Sequence, residues 1–486
     1  MTTVVLANAY FYKLDVKQWR FHQPYPPLGA LWAASVLRHA GFRVVLADMS
    51  LADNPQQLQP VLEREKPKYV VVYDDGFNYL TKMCLTVMRE AAFAMTRLAH
   101  QHGALVVINS SDSTDHYHKY LDEGVDYVIR GEGEETLREL ILGLESNQDI
   151  NKVPGTVCRK EGQTQINPSR AVLKDLDTLP LPAWDLIDFK PYRDHWLRHH
   201  GYFSLNLATT RGCPYKCNWC AKPIYGNRYN VRSPKSVVQE IVWLHKLAQP
   251  DHFWMSDDIF GLKPGWIRDF ADALKDNNCT VSYKIQSRAD LLLEEKTISL
   301  LAASGCKTVW IGAESGSQKI LDAMDKGTTI AQILEATRQL RSQQIEVGYF
   351  LQFGYPGETR EDIKATLQMV LDQMPDEIGI SVSYPLPGTK FYERVKAELL
   401  TKQNWVDSDD LAMLYQSPLP PAYYKLLQRY VHSRFRIQRG VQRLRDLPKH
   451  PLLNRKDLRK LVSMVYHTPL SWLQSYRLQK IAPANE

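Results

Sequence analysis

Cys213, Cys217 and Cys220 stand in the stretch Arg211-Gly212-Cys213-Pro214-Tyr215-Lys216-Cys217-Asn218-Trp219-Cys220, spaced C-x3-C-x2-C. Thiolates are soft ligands, and close-set cysteines of this kind hold iron–sulfur centres. Three ligands cannot fill a four-iron cluster, so one iron is left open to an outside molecule. Gly212 and Pro214 flank the first cysteine and make the stretch a loop, which lets the three side chains converge. Zinc is the plainer alternative. It ordinarily takes four protein ligands from paired C-x2-C knuckles, and no fourth cysteine or well-spaced histidine lies nearby.

The elements that must position this loop alternate in type along the chain. Val4–Asn8, Phe42–Asp48, Tyr69–Tyr73, Ala104–Asn109 and Tyr127–Ile129 read as buried strands. Helical patterns lie between them, the first over Ala30–Ala40 with Leu31, Ala34 and Leu37 on one face and Gly41 as its stop. Such alternation predicts a parallel α/β sheet with ligands at the carboxyl ends of its strands. Tyr73, Asp74 and Asn78 follow the third strand; capping of the next helix is the competing role for Asn78 or Asp75. Gly131 and Gly133, after the last strand, let the backbone pass close to a ligand. Prolines break the order between residues 150 and 195, where Val157–Lys160 and Gln163–Ile166 suggest a small hairpin.

A second alternating series begins with a strand over Ser204–Thr210 that runs into the cysteine loop. Further strands are predicted over His252–Asp258, Thr280–Arg288, Thr308–Glu314, Glu346–Phe353 and Glu377–Tyr384. Ser233 caps a helix reaching Ala248, with Pro234 at its first position. Six βα units predict a full or partial barrel with its site at the strands' carboxyl ends.

The cysteine spacing, with Trp219 as the aromatic before the last cysteine, resembles the signature of the radical S-adenosylmethionine (SAM) enzymes. That resemblance implies a [4Fe–4S] cluster on Cys213, Cys217 and Cys220, with SAM chelating the open iron and being cleaved to a 5′-deoxyadenosyl radical. It further implies a partial (β/α)6 barrel. The sheet domain, with Pro26-Pro27-Leu28-Gly29 and Arg130-Gly131-Glu132-Gly133-Glu134, resembles the cobalamin-binding domain upstream of many such enzymes. The Asp-x-His-x-x-Gly pattern that ligates cobalt in many cobalamin domains is absent, as it often is in the cobalamin-dependent radical SAM group. The family places SAM contacts at strand ends, which carries over to Asp258, Gln286, Arg288, Glu314 in Gly312-Ala313-Glu314-Ser315-Gly316, and Gln352 before Gly354-Tyr355-Pro356-Gly357-Glu358. Glu358 also reads simply as a helix N-terminal charge. No catalytic residue is singled out.

The fold expected is therefore α/β: a doubly wound, Rossmann-like cobalamin domain (1–149), a linker (150–195), a radical SAM domain (196–400) and a basic helical C-terminal region (401–486). Methyl transfer to an unactivated carbon of a small-molecule or lipid-like substrate is the leading function. Oxidative cyclisation, as in the anaerobic magnesium-protoporphyrin cyclase group, or rearrangement with the same cofactors is the alternative. A non-catalytic corrinoid or iron–sulfur regulator ranks lower. A tRNA methylthiotransferase would need three more N-terminal cysteines, and only Cys84 and Cys158 precede the motif.

The resemblance also implies an electron donor such as flavodoxin or ferredoxin. No apolar run is long enough to span a bilayer, and no signal peptide is recognised at Met1. An odd cysteine count with one tight cluster fits a reducing, cytoplasmic setting. The net charge of +6 is uneven: from Tyr424 to Glu486 there are 14 Lys/Arg against 3 Asp/Glu. No nucleic-acid motif stands out there. The basic tail reads first as a solvated helical face packed on the barrel, and second as an amphipathic surface for peripheral membrane contact.

Overall fold

The computed structural model describes residues 2–74, 76, 85–294, 296–399, 402, 404–417, 419–448 and 451–481. Asn78 and Cys84 lie outside the described residues.

The first sheet holds β1 (Thr3–Ala7), β2 (Arg43–Ala47), β3 (Tyr69–Tyr73), β4 (Leu105–Asn109), β5 (Tyr127–Ile129), β6 (Thr156–Lys160) and β7 (Gln163–Ile166), in the order β2-β1-β3-β4-β5-β6-β7. β1 to β5 are parallel. Every residue of β3 is buried, as a strand covered on both faces requires. The predicted hairpin forms, but it belongs to the sheet: β6 pairs antiparallel with β5, and β7 with β6. The first structural unit therefore runs past residue 149, to the end of β7. In the order 2-1-3-4-5 the direction of winding reverses between β1 and β3, where doubly wound sheets bind ligands.

The second sheet is an open half-barrel of parallel strands: β8 (Ser204–Leu207), β11 (His252–Met255), β12 (Tyr283–Ser287), β13 (Cys306–Glu314), β14 (Glu346–Phe353) and β15 (Glu377–Val382). The first strand does not continue to the cysteines as predicted. It stops at Leu207, and Thr210–Arg211 forms a separate short strand (β9) paired antiparallel with β10 (Asn230–Val231). Ser233 caps the helix Pro234–Ala248 by accepting from Ser236 N at 3.1 Å. Thr359 and Asp362 form a reciprocal cap on Arg360–Gln373.

Two long helices end the chain. Pro421–Asp446 packs on Arg360–Gln373 and β15, and Arg455–Ile481 packs along Pro421–Asp446, where Gly440 admits the Met464 side chain. The last helix does not bury its apolar stripe on the barrel. Leu458, Val462, Val465, Trp472 and Tyr476 face outward, Trp472 at 85% exposure, while Asp457 turns inward to pair with Arg443 at 3.1 Å. No described helix is long and apolar enough to cross a membrane.

Candidate active site: a cysteine loop between two strand-end clefts

The cysteine loop is fixed from both sides. Asp257, wholly buried after β11, accepts from the backbone N–H groups of Thr209 and Thr210 at 2.7 and 2.8 Å. Burial raises the Asp257 carboxyl to about 7 despite these donors. Gly212 has φ +79°, and a Cβ there would meet Arg228 O at 2.5 Å, so the turn into Cys213 admits only glycine. On the far side, Asn218 donates to Ala323 O at 2.8 Å, and its Oδ1 lies 2.8 Å from the Tyr355 hydroxyl. Phe391 N–H donates to Asn218 O at 2.9 Å.

The three thiols are half-buried, and burial pushes the Cys213 thiol up. Three thiolates without a fourth protein ligand leave one metal position open, which suits a multi-iron cluster better than a closed structural zinc site. One cation touches Cys217 and a second lies within electrostatic reach of it. Arg288 Nη1 sits 3.9 Å from its sulfur, the guanidinium lies 3.8 Å over the Tyr215 ring, and Asp290 pairs with it at 2.9 Å. Lys326 is buried and bound to Glu314 at 2.9 Å. Burial pulls the Lys326 ammonium down, but Glu314 and then Cys217 outweigh it, so its pKa is raised. Glu314 itself ends β13 at φ +54°, beside a register shift between Gly312 and Glu314. Lys326, Asn218 and Tyr355 were not singled out from the sequence; only their contacts mark them.

The remaining predicted SAM contacts divide. Gln286 donates to Asp257 O at 2.6 Å, tying β12 to the Asp257 lock. Asp258 stays partly exposed and lies close enough to Cys213 to raise its thiol, whereas its neighbour Asp257 takes the structural role. Gln352 donates to Ser383 Oγ at 3.1 Å, and its buried Oε1 has no hydrogen-bond partner among the described residues. Glu358 is no surface charge at a helix start. It accepts from Gly354 N at 2.6 Å, its other oxygen has no such partner among the described residues, and burial raises it to about 8. The concave face of the half-barrel carries Trp254, Lys284, Trp310 and Phe350, one from each successive strand, with the Trp310 and Phe350 rings stacked at 4.6 Å. Gly348 makes room for Trp310, since a Cβ there would come within 2.5 Å of the indole.

A second cleft opens at the β1/β3 reversal. Asn8, Tyr10, Ser50 and Asp74 line it from the first sheet, and Asn206 and Trp254 from the half-barrel. Asp74 accepts from Ala9 N at 2.7 Å and is raised to about 6 by burial. Asn206 donates to Pro26 O at 3.1 Å, but its buried Oδ1 has no hydrogen-bond partner among the described residues. An unpaired polar atom in a shared wall is what a polar cofactor would satisfy. The two glycines after β5 differ in their surroundings. Gly133 faces inward, where a Cβ would lie 2.7 Å from the Tyr73 hydroxyl and 2.9 Å from Asn109, so it serves packing within the domain. Tyr73 is buried at that contact. Gly131 turns at φ +79°, and a Cβ there would lie 3.6 Å from Ile224 O, an ordinary contact distance.

The two halves are bolted together beside the cysteines. Arg211, 2% exposed, reaches Glu132 in the loop after β5 and Glu134 at the start of the helix Glu134–Glu145, with Nη2 2.7 Å from Glu134 Oε1 and its guanidinium 5.0 Å over Trp32.

Profiles of known families agree with this division: the B12-binding domain matches residues 20–141 and the radical SAM superfamily residues 207–370. The chain therefore carries a B12-binding domain followed by a radical SAM domain, and the cofactors that go with these two domains are cobalamin, a [4Fe–4S] cluster and SAM. It is 29% identical over 284 residues to an uncharacterized methyltransferase of Pyrococcus horikoshii, covering 58% of this chain and 60% of that one. The chain thus spans less than two thirds of that relative. It is 28% identical to the anaerobic magnesium-protoporphyrin IX monomethyl ester cyclase of Synechocystis, covering 76% and 72% of the two chains. To the hopanoid C-3 methylase of Methylococcus capsulatus it is 27% identical, covering 83% and 75%. The fold matches that of OxsB, a cobalamin-dependent SAM radical enzyme solved with aqua-cobalamin and SAM, at a TM-score of 0.72 and 18% identity over 97% of this chain and 72% of that one.

Proposed function

We propose that the protein is a methyltransferase that uses cobalamin and SAM to methylate an unactivated carbon of a largely apolar small molecule. The observation that carries this reading is the shared cleft: Asn8 and Asp74 at the first sheet's switch point face Asn206 and Trp254 of the half-barrel. The cleft is narrow, with about 20 Å³ of free volume, so a corrinoid would enter only as the two walls part, and it would then lie beside the barrel's concave face. When bound, the cluster and SAM supply one-electron radical chemistry, and cobalamin supplies a carrier for the methyl group. The protein's part is placement. Arg288 and Lys326 hold positive charge at Cys217, Gln352 and Asp258 offer polar atoms at the strand ends, and the Trp310–Phe350 stack gives a ring-bearing substrate an apolar platform. Relatives named for a hopanoid and for a bacteriochlorophyllide support an apolar, polycyclic substrate class.

The test is anaerobic incubation of the reconstituted protein with cobalamin, reductant, methyl-labelled SAM and a panel of polycyclic terpenoids and tetrapyrroles. Label in a product supports methylation. Deoxyadenosine with an oxidised, unlabelled product favours the cyclase reading that the Synechocystis relative suggests. No SAM cleavage at all overturns both.

The same reading places the protein in the reducing cytoplasm with a flavodoxin- or ferredoxin-type electron donor. It also gives the exposed stripe of Arg455–Ile481 an occupant, the surface of an anionic membrane. Tyr466, Trp472 and Tyr476 are interface-seeking rings, and Arg455, Lys456, Arg459, Arg477 and Lys480 are exposed on the same helix.

A further inference from the structure

We infer that His22, His195 and His199 form a second metal site, apart from the cysteine loop, for a divalent late transition metal, with Zn2+ as its natural occupant. Among the described residues this is the set of three candidate ligands whose donor atoms all lie within 4.8 Å of one another. His195 and His199 are one turn apart on the helix Phe189–His200, the i,i+4 spacing that lets two imidazoles share an ion. His22 comes from a different part of the chain. It ends the helix Val16–Phe21 in a left-handed conformation at φ 54°, which turns its side chain back toward the other two.

Two observations favour a ligand over mere packing. His22 Nδ1 and His195 Nε2 are both shielded from solvent, and neither has a hydrogen-bond partner among the described residues. Buried polar nitrogens are ordinarily paired, and two unpaired ones within a cluster of three close-set imidazoles are what a shared metal ion would satisfy. The surroundings also hold the rings in place. His200 Nε2 lies 2.9 Å from the His22 carbonyl oxygen, and Trp19 packs 4.7 Å from the His195 ring.

The donor set decides the metal. Three imidazoles without a carboxylate or thiolate suit zinc, nickel or copper and reject magnesium and calcium, which want oxygen. Three nitrogen ligands leave a fourth tetrahedral position for water. The His22 and His199 rings are stacked at 3.6 Å and 8°, so metal capture requires one of them to rotate about χ2, a soft torsion for histidine. An ion there would staple the segment around residues 16–22 to the helix that leads into β8. The site is independent of the proposed methyl transfer, since none of its ligands lines either cleft.

The test uses the full chain, free of any affinity tag, with its cluster reconstituted so that Cys213, Cys217 and Cys220 are occupied. Zinc chloride is titrated anaerobically against a chromogenic chelator, and zinc, iron and cobalt are counted after desalting. The expected result is about one zinc per chain, with affinity lowered about tenfold or more in His195→Ala and in His199→Ala, as loss of one of three ligands predicts. Iron and cobalamin content should not change. His199 is exposed, so its replacement leaves a folded protein even where that of His22 does not. Absence of zinc from the wild type, or binding that neither substitution weakens, would overturn the site.

Discussion

Arg211 Nη2 lies 2.7 Å from Glu134 Oε1, and this contact joins the residue two places before the first cluster cysteine to the start of the helix after the last parallel strand of the B12-binding domain. Both groups are buried, and Arg211 also reaches Glu132. Stranding a buried charge costs about 3–5 kcal/mol, and because Arg211 keeps Glu132 when Glu134 is lost, the cost of that loss falls below this range. Glu134→Ala is therefore expected to lower the melting temperature clearly, with iron retention falling alongside. Unchanged melting and iron content would show that the pair does not couple the two domains.

Arg288 touches Cys217, and the Lys326 ammonium lies within electrostatic reach of it. Positive charge near a cluster ligand favours the reduced, more negative state. Arg288→Gln is expected to shift the cluster's midpoint potential downward while iron content stays near that of the wild type. Potentiometry followed by electron paramagnetic resonance reads this directly. Cys217→Ala, by contrast, should lose the iron and abolish deoxyadenosine formation.

Glu358 gives a pH prediction. Burial raises its carboxyl to about 8, whereas in an unfolded chain it ionises near the ordinary value of about 4.3. Between those limits the unfolded chain has released a proton that the folded protein retains, so folding stability falls as pH rises through the window. Glu358→Gln keeps an acceptor for Gly354 N–H and removes the titration. It should raise the melting temperature at pH 8 more than at pH 5. An equal effect at both values would mean that Glu358 is ionised in the fold.

The exposed stripe of the last helix predicts binding to vesicles. The wild type should co-sediment with vesicles rich in phosphatidylglycerol, less so at high salt, and weakly with neutral phosphatidylcholine vesicles. A Val465→Glu, Trp472→Glu double variant should remain soluble after centrifugation with either, without loss of fold. Equal sedimentation of the variant, or a salt-independent dimer in its place, would assign the stripe to another partner.

Much of this was legible in the sequence, for local reasons. β14 has the predicted boundaries, Glu346 to Phe353, because a short, mostly apolar and aromatic run stopped by Gly354 marks a strand. The cysteine spacing and the glycine at 212 carried the loop. What escaped was set by contacts between distant segments. Nothing local marks Lys326 as the partner of Glu314, or Arg211 as the bolt to Glu134. The break after Leu207 arises because Asp257, far along the chain, captures the N–H groups of Thr209 and Thr210. The closeness of Gly133 to Tyr73 and Asn109, where a Cβ would not fit, likewise joins segments far apart in the chain. The orientation of the last helix depended on Pro421–Asp446 accepting its polar side, which periodicity cannot foretell.

The half-barrel is open, and an open sheet has two outer strands whose backbone groups invite another chain. β8 is one, and the first domain attends to it: Pro26 O accepts from Asn206, and the Tyr25 hydroxyl lies 3.4 Å from Ser204 Oγ. β15 is the other, and Pro421–Asp446 lies against it, with Arg439 donating to Asp376 O at 3.3 Å just before the strand. The basic tail thus contains two separable parts. Its first helix acts as a guard against strand-to-strand polymerisation, so a truncation that removes it would yield aggregates whatever the second helix binds.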